Sequence, residues 1–71
     1  MDAKKLVYMA NQIGKAFDYQ DDDAAVASVA GHIRNFWDPR MKKVIAVHEQ
    51  AGGAGLNPRV LAAVRSLKVP V

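Results

Sequence analysis

The chain is 71 residues long and 51% apolar, but 12 of its 36 apolar residues are alanine, which leaves only 24 larger side chains to build a core. Chains this short rarely draw more than about 3 to 5 kcal/mol from a single core and usually need a disulfide, a metal or a partner as a supplement; with no cysteine present, disulfides, thiolate zinc sites and cysteine-held iron–sulfur clusters are excluded. The net charge of +3 divides unevenly, with three lysines against five aspartates in residues 1–23 and seven Lys/Arg against Asp38 and Glu49 in residues 24–71.

This length accommodates one domain, residues 1–71. No stretch reaches the roughly 18 apolar residues of a membrane span. Only five apolar residues follow Met1-Asp2-Ala3-Lys4-Lys5 before a polar break, too few for a secretory leader, so a cytoplasmic protein is expected. The basic final two thirds suit an acidic protein surface, a phosphate-bearing ligand or nucleic acid, and charge alone does not choose among them.

Apolar residues recur with helical spacing throughout and nowhere alternate as in a half-buried strand, so an all-α bundle of about four short helices is predicted. The first helix, about 3–17, puts Leu6, Met9, Ala10, Ile13 and Phe17 on one stripe and Lys4, Tyr8, Asn11, Gln12 and Lys15 opposite, with Asp2 as N-cap. The run Asp18-Tyr19-Gln20-Asp21-Asp22-Asp23 reads as a loop that also caps the next helix. It lacks the spaced ligands and turn glycine of a calcium-binding loop.

The second helix, about 24–37, places Val26, Val29, Ala30, Ile33 and Trp37 on the core stripe, with Phe36 at its edge. Its far face carries Ala24, Ser28, Gly31 and Asn35. A solvated helix normally shows Lys and Glu there, and a mid-helix glycine costs about 1 kcal/mol relative to alanine. This flat, uncharged face suits close approach by another backbone better than it suits a plain surface. Trp37-Asp38-Pro39 ends one helix and starts another, because the residue before proline leaves the α region while Asp38 can cap a helix with Pro39 in its first position.

A third helix, about 39–51, is expected to bury Met41, Val44, Ile45 and His48 and to expose Ala46, Glu49 and Gln50, and Gly52-Gly53 stops it. Gly52-Gly53-Ala54-Gly55 reads as a turn, since it follows a helix and lacks the lysine and Ser/Thr of a phosphate-binding loop. Asn57-Pro58 opens a fourth helix, about 58–67, with Val60, Leu61, Val64 and Leu67 inward.

Chemistry has few footholds. Histidine is the one side-chain type that ionises near neutrality, and neither His32 nor His48 has a neighbouring sequence that marks a nucleophile or a metal site. His48 reads as a hydrogen-bonded core or edge residue, and His32 as a surface or interface residue on the flank of helix two. The most concentrated feature is Arg34-Asn35-Phe36-Trp37-Asp38-Pro39-Arg40-Met41, where two arginines flank an aromatic pair at a rigid corner. Trp, other aromatics and Arg dominate interface hot spots because they bury large areas and bind through fork-shaped hydrogen bonding. Trp37 also lies on the core stripe, so it serves as the core's largest filler, with one indole edge left for a partner.

Three segments resemble a known family, the small delta subunit of cytoplasmic NAD-dependent molybdenum formate dehydrogenases. They are Leu6-Val7-Tyr8-Met9-Ala10-Asn11-Gln12-Ile13 with Phe17, Val29-Ala30-Gly31-His32-Ile33-Arg34-Asn35-Phe36-Trp37-Asp38-Pro39-Arg40-Met41, and Gly52-Gly53-Ala54-Gly55-Leu56-Asn57-Pro58. The Asp-rich loop and the last few residues carry none of the likeness, and Ala16 stands where a second aromatic would be familiar. The resemblance implies a non-catalytic subunit of a complex that oxidises formate to carbon dioxide and passes the electrons to NAD. An alpha subunit would hold bis-molybdopterin guanine dinucleotide with molybdenum or tungsten and iron–sulfur clusters, while beta and gamma subunits would carry FMN and further clusters; this chain itself is expected to hold no cofactor or metal. It is expected to dock on the alpha subunit and stabilise it or support cofactor insertion or retention, through Tyr8, Asn11, Gln12, Ser28, Gly31, His32, Arg34, Trp37 and Arg40. Two alternatives stand beside this reading. One is a helix-turn-helix-like nucleic-acid binder using Arg40, Lys42 and Lys43, and the other is a maturation chaperone that leaves after cofactor insertion.

Overall fold

Four helices and no strand make up the fold among the residues described, 1–70, of the computed structural model: α1 (Ala3–Ala16), α2 (Asp22–Phe36), α3 (Pro39–Gln50) and α4 (Pro58–Leu67). Side-chain caps set most of the starts. Asp2 Oδ1 accepts from the Lys4 N–H (3.0 Å), Asp21 Oδ1 from the Ala24 N–H (3.1 Å) and Asp38 Oδ1 from the Met41 N–H (2.9 Å), each satisfying a first-turn amide that has no partner within its helix.

Helix α2 begins two residues earlier than the apolar pattern predicts. With Asp21 as cap, Asp22 and Asp23 fall in the first turn, where carboxylates are favoured by the positive end of the helix dipole. The helix also ends one residue early, because Trp37 turns out into extended backbone (φ −86°, ψ 139°) ahead of the Asp38-Pro39 start. Helix α3 closes in a Schellman arrangement, with the Gly53 N–H bonded to the His48 carbonyl (2.9 Å) and the Gly52 N–H to that of Glu49 (3.0 Å). Asn57 departs from the expected Asx-Pro cap, since its side chain makes no capping bond to α4.

The packing explains how a chain so rich in alanine builds a core. Helix α2 packs most extensively on α4, and α1 crosses α2, α3 and α4. The buried interior contains Leu6, Val29, Ile33, Ile45, Val60 and Val64, together with Ala10, Ala25, Ala30, Ala46 and Ala63. These alanines sit between helices rather than outside them, and small side chains let the helix axes approach closely. Glycine does the same at Gly14, where a Cβ would lie 2.6 Å from Val60 Cγ2.

Ala46 overturns a sequence expectation, since it is buried rather than exposed. Helix α3 is held on two sides, by α1 and by α4, and the Arg65–Glu49 ion pair (2.9 Å) spans the α4 side, which widens the covered arc beyond a single stripe. Leu56 adds a core residue that helical periodicity does not predict: it lies outside any helix yet is buried among the core residues. No helix among the described residues is long and apolar enough to cross a membrane.

Candidate interaction surface

The residues that the sequence marks for contact separate into structural and open sets. Asn11 belongs to the first. Its Nδ2 donates to the Gly55 carbonyl (2.9 Å) and its Oδ1 accepts from the Asn57 N–H (3.0 Å). A carbonyl only accepts and an amide N–H only donates, so these partners fix the amide orientation. Asn11 thereby clamps the α3–α4 loop to α1 and carries Leu56 into the core. His48 holds the same loop from the other side, 2.7 Å from the Ala54 carbonyl through Nε2, which must then carry the proton. This is the hydrogen-bonded edge histidine expected from the sequence.

Ser28 is half-buried and donates to Gln20 Oε1 (2.7 Å), tying α2 to the preceding loop. Arg59 supports that loop from α4: its Nη1 donates to the Gln20 carbonyl (3.0 Å) and its Nε to Asp22 Oδ1 (2.7 Å). The aromatic pair at the corner divides. Trp37 is 6% exposed and belongs to the core, while Phe36 is 73% exposed, so the ring offered to solvent is Phe36 and the indole edge expected to meet a partner is largely covered. The physical cause is the corner itself, because Trp37 leaves the helix for extended backbone just where the chain turns inward.

The open set begins with Gly31. A Cβ built there meets nothing within 4 Å. One residue along, the His32 ring stacks on Phe36 with centroids 4.7 Å apart and planes tilted by 34°. Tyr8, 65% exposed on α1, accepts a hydrogen bond from Gln12 Nε2 (3.0 Å), so these two side chains form a small polar–aromatic unit outside the core.

The two corner arginines do not converge. Arg34 lines a cleft with Lys42 and Lys68, whereas Arg40 lines a groove with Val44 and Val47, and Lys43 stands between the two. At 3.6 residues per turn His32 and Arg34 also fall on opposite flanks of α2. Lys42 Nζ donates to the Arg34 carbonyl (2.8 Å), capping the C-terminal end of α2 where a cation complements the dipole.

Among the described residues no three His, Asp or Glu side chains gather as metal ligands, and the chain has no thiolate with which to hold an iron–sulfur cluster.

Comparison with curated proteins and with solved structures finds no significant match in either. Residues 5–64 match the model of one protein family, described as the NADH-dependent formate dehydrogenase delta subunit FdsD. That span takes in all of α2 and α3 and most of α1 and α4, including the corner, the glycine stop and the Asn11 clamp, so the chain belongs to the delta subunit family of NADH-dependent formate dehydrogenases.

Proposed function

We propose that this chain is a non-catalytic accessory subunit that docks on the molybdopterin-containing alpha subunit of a formate dehydrogenase and either stabilises it or supports insertion or retention of its cofactor. The beta and gamma subunits complete the same complex, and the molybdenum or tungsten, iron–sulfur clusters, FMN and NAD site belong to those larger chains. The observation that carries this reading is the open surface of α2, on its far face at Gly31 and on its flank at Phe36. Gly31 faces open space and Phe36 stands 73% exposed against His32. Fully burying one such aromatic is worth about 1.5 to 3 kcal/mol, which an isolated chain forgoes and an assembled one recovers. Aromatic side chains, phenylalanine among them, are enriched at protein interfaces relative to the rest of the surface.

Gly31→Leu tests the reading. Beyond the adjoining backbone of its own helix, the Cβ it adds meets nothing within 4 Å, so the isolated variant should fold as the wild type does, yet its bulk should hold off a partner backbone and cut recovery of the other subunits about tenfold, equivalent to about 1.4 kcal/mol. Normal co-purification of the variant would refute the docking face. Stoichiometric presence of the chain in the purified, active enzyme supports a resident subunit, and its loss on maturation supports a chaperone.

A further inference from the structure

A second exposed surface lies away from the outer face of α2. Between the start of α1 and the length of α3 run two adjoining hollows of about 470 and 390 Å³ that share His48. Their apolar floor is formed by Val44, Val47 and Ala51 and is continued by Val7. Val47 is 49% exposed, and Val7 and Val44 are only half-buried. From Arg40 to Ala51 the groove follows α3 for about 16 Å at 1.5 Å per residue, three turns of helix. An elongated apolar groove between two helices has the shape that receives a third.

Charge identifies what kind of helix. Lys4, Arg40 and Lys43 stand exposed along the groove, and none of them forms an ion pair among the described residues, where the pairs are Arg59–Asp22 and Arg65–Glu49. The carboxylates nearest in the chain, Asp2 and Asp38, accept from helix amides instead. A second copy of this chain cannot supply the complement. Its only acidic cluster, Asp18 to Asp23, occupies a loop and the first turn of α2 rather than flanking an exposed apolar stripe.

We propose that this groove receives an acidic amphipathic helix from another subunit of the formate dehydrogenase complex, with aliphatic side chains against Val7, Val44 and Val47 and carboxylates over Lys4, Arg40 and Lys43. The assignment rests on the subunit reading but uses a surface separate from Gly31 and Phe36.

The test is made on the complex purified through a tag on this chain. Val47→Glu sets a carboxylate among the partner's own carboxylates, and Lys4→Glu with Lys43→Glu reverses the rim while leaving the floor intact. Each should lower recovery of the partner subunit about tenfold, and wild-type recovery should fall as salt screens the rim. A photo-crosslinking residue at position 47 should give adducts within a helix rich in Asp or Glu. Wild-type recovery by the double lysine variant, or adducts confined to a segment without acidic residues, overturns the proposal, and the double variant keeps the test decisive if Val47→Glu melts low. Adducts to a second copy, or Val47-dependent pelleting with phosphatidylserine vesicles, assign the groove to another occupant and also overturn it. If the wild-type tag recovers no formate dehydrogenase subunit at all, the subunit reading fails and the groove assignment goes with it.

Discussion

Gly14 and Gly31 are both helical glycines, and the structure predicts opposite consequences for the same substitution. Replacing a helix-interior glycine by alanine gains about 0.8 to 1 kcal/mol, because alanine gives up less backbone entropy on folding. At Gly31 the new Cβ meets nothing within 4 Å, so Gly31→Ala should realise most of that gain. At Gly14 the same Cβ would stand 2.6 Å from Val60 Cγ2, about an ångström inside ordinary van der Waals contact. Val60 is fully buried and, being β-branched within a helix, has one strongly preferred rotamer, so it cannot swing aside. The α1–α4 pair must open instead, at a cost typical of overpacking, about 1 to 3 kcal/mol. Gly14→Ala should therefore be neutral to about 2 kcal/mol destabilising, and the two variants should differ by about 1 to 3 kcal/mol. At about 4 to 8 °C per kcal/mol for a domain of this size, thermal unfolding followed by circular dichroism should place Gly31→Ala above the wild type and Gly14→Ala well below Gly31→Ala. Equal stabilisation by both would show that α1 and α4 do not approach at Gly14 and would refute the close-packed account of the alanine-rich core.

Two further predictions concern the α3–α4 loop. Asn11→Ala removes one donor and one acceptor from the loop backbone; at about 0.5 to 1.5 kcal/mol net per hydrogen bond the loss should reach about 1 to 3 kcal/mol, with faster amide hydrogen exchange at Leu56 and Asn57, and unchanged exchange there would show that the clamp is not what orders the loop. Gly52→Ala and Gly53→Ala should each destabilise, because both glycines have positive φ (117° and 67°); at Gly52 the angle lies outside the left-handed region that an L residue can enter, and at Gly53 the added Cβ would also push on Leu61, so a urea midpoint at or above the wild-type value for either variant would contradict this account of the helix stop.

Much of the architecture is legible along the chain because it is written in chemistry that acts over three or four residues. Asp2, Asp21 and Asp38 cap helices whatever lies across the molecule. Pro39 and Pro58 set first turns, Gly52 and Gly53 admit the backbone of a helix stop, and the 3.6-residue spacing of Leu6, Ala10, Val29, Ile33 and Ile45 turns one stripe inward. The family likeness is carried by the same local stretches, which is why it too can be read from the residues alone.

Tertiary structure decided what each face meets, and that depends on residues far apart in the chain. Asn11 looks like an outward polar residue on a helical wheel, yet its partners lie 44 and 46 positions away. Ala46 looks solvent-facing until the neighbouring helices cover it, and Leu56 looks like loop until Asn11 and His48 hold its neighbours in place. Phe36 and Trp37 are adjacent and both aromatic, but the backbone turn between them sends one out and the other in. Arg34 and Arg40 flank one corner in sequence and line different clefts in space. The sequence alone determined where helices begin and end, to within a residue or two, and to which family the chain is similar; only the packing of the four helices decided which of its polar and aromatic side chains are already used within the fold and which remain exposed, because that depends on contacts made between helices and not within them.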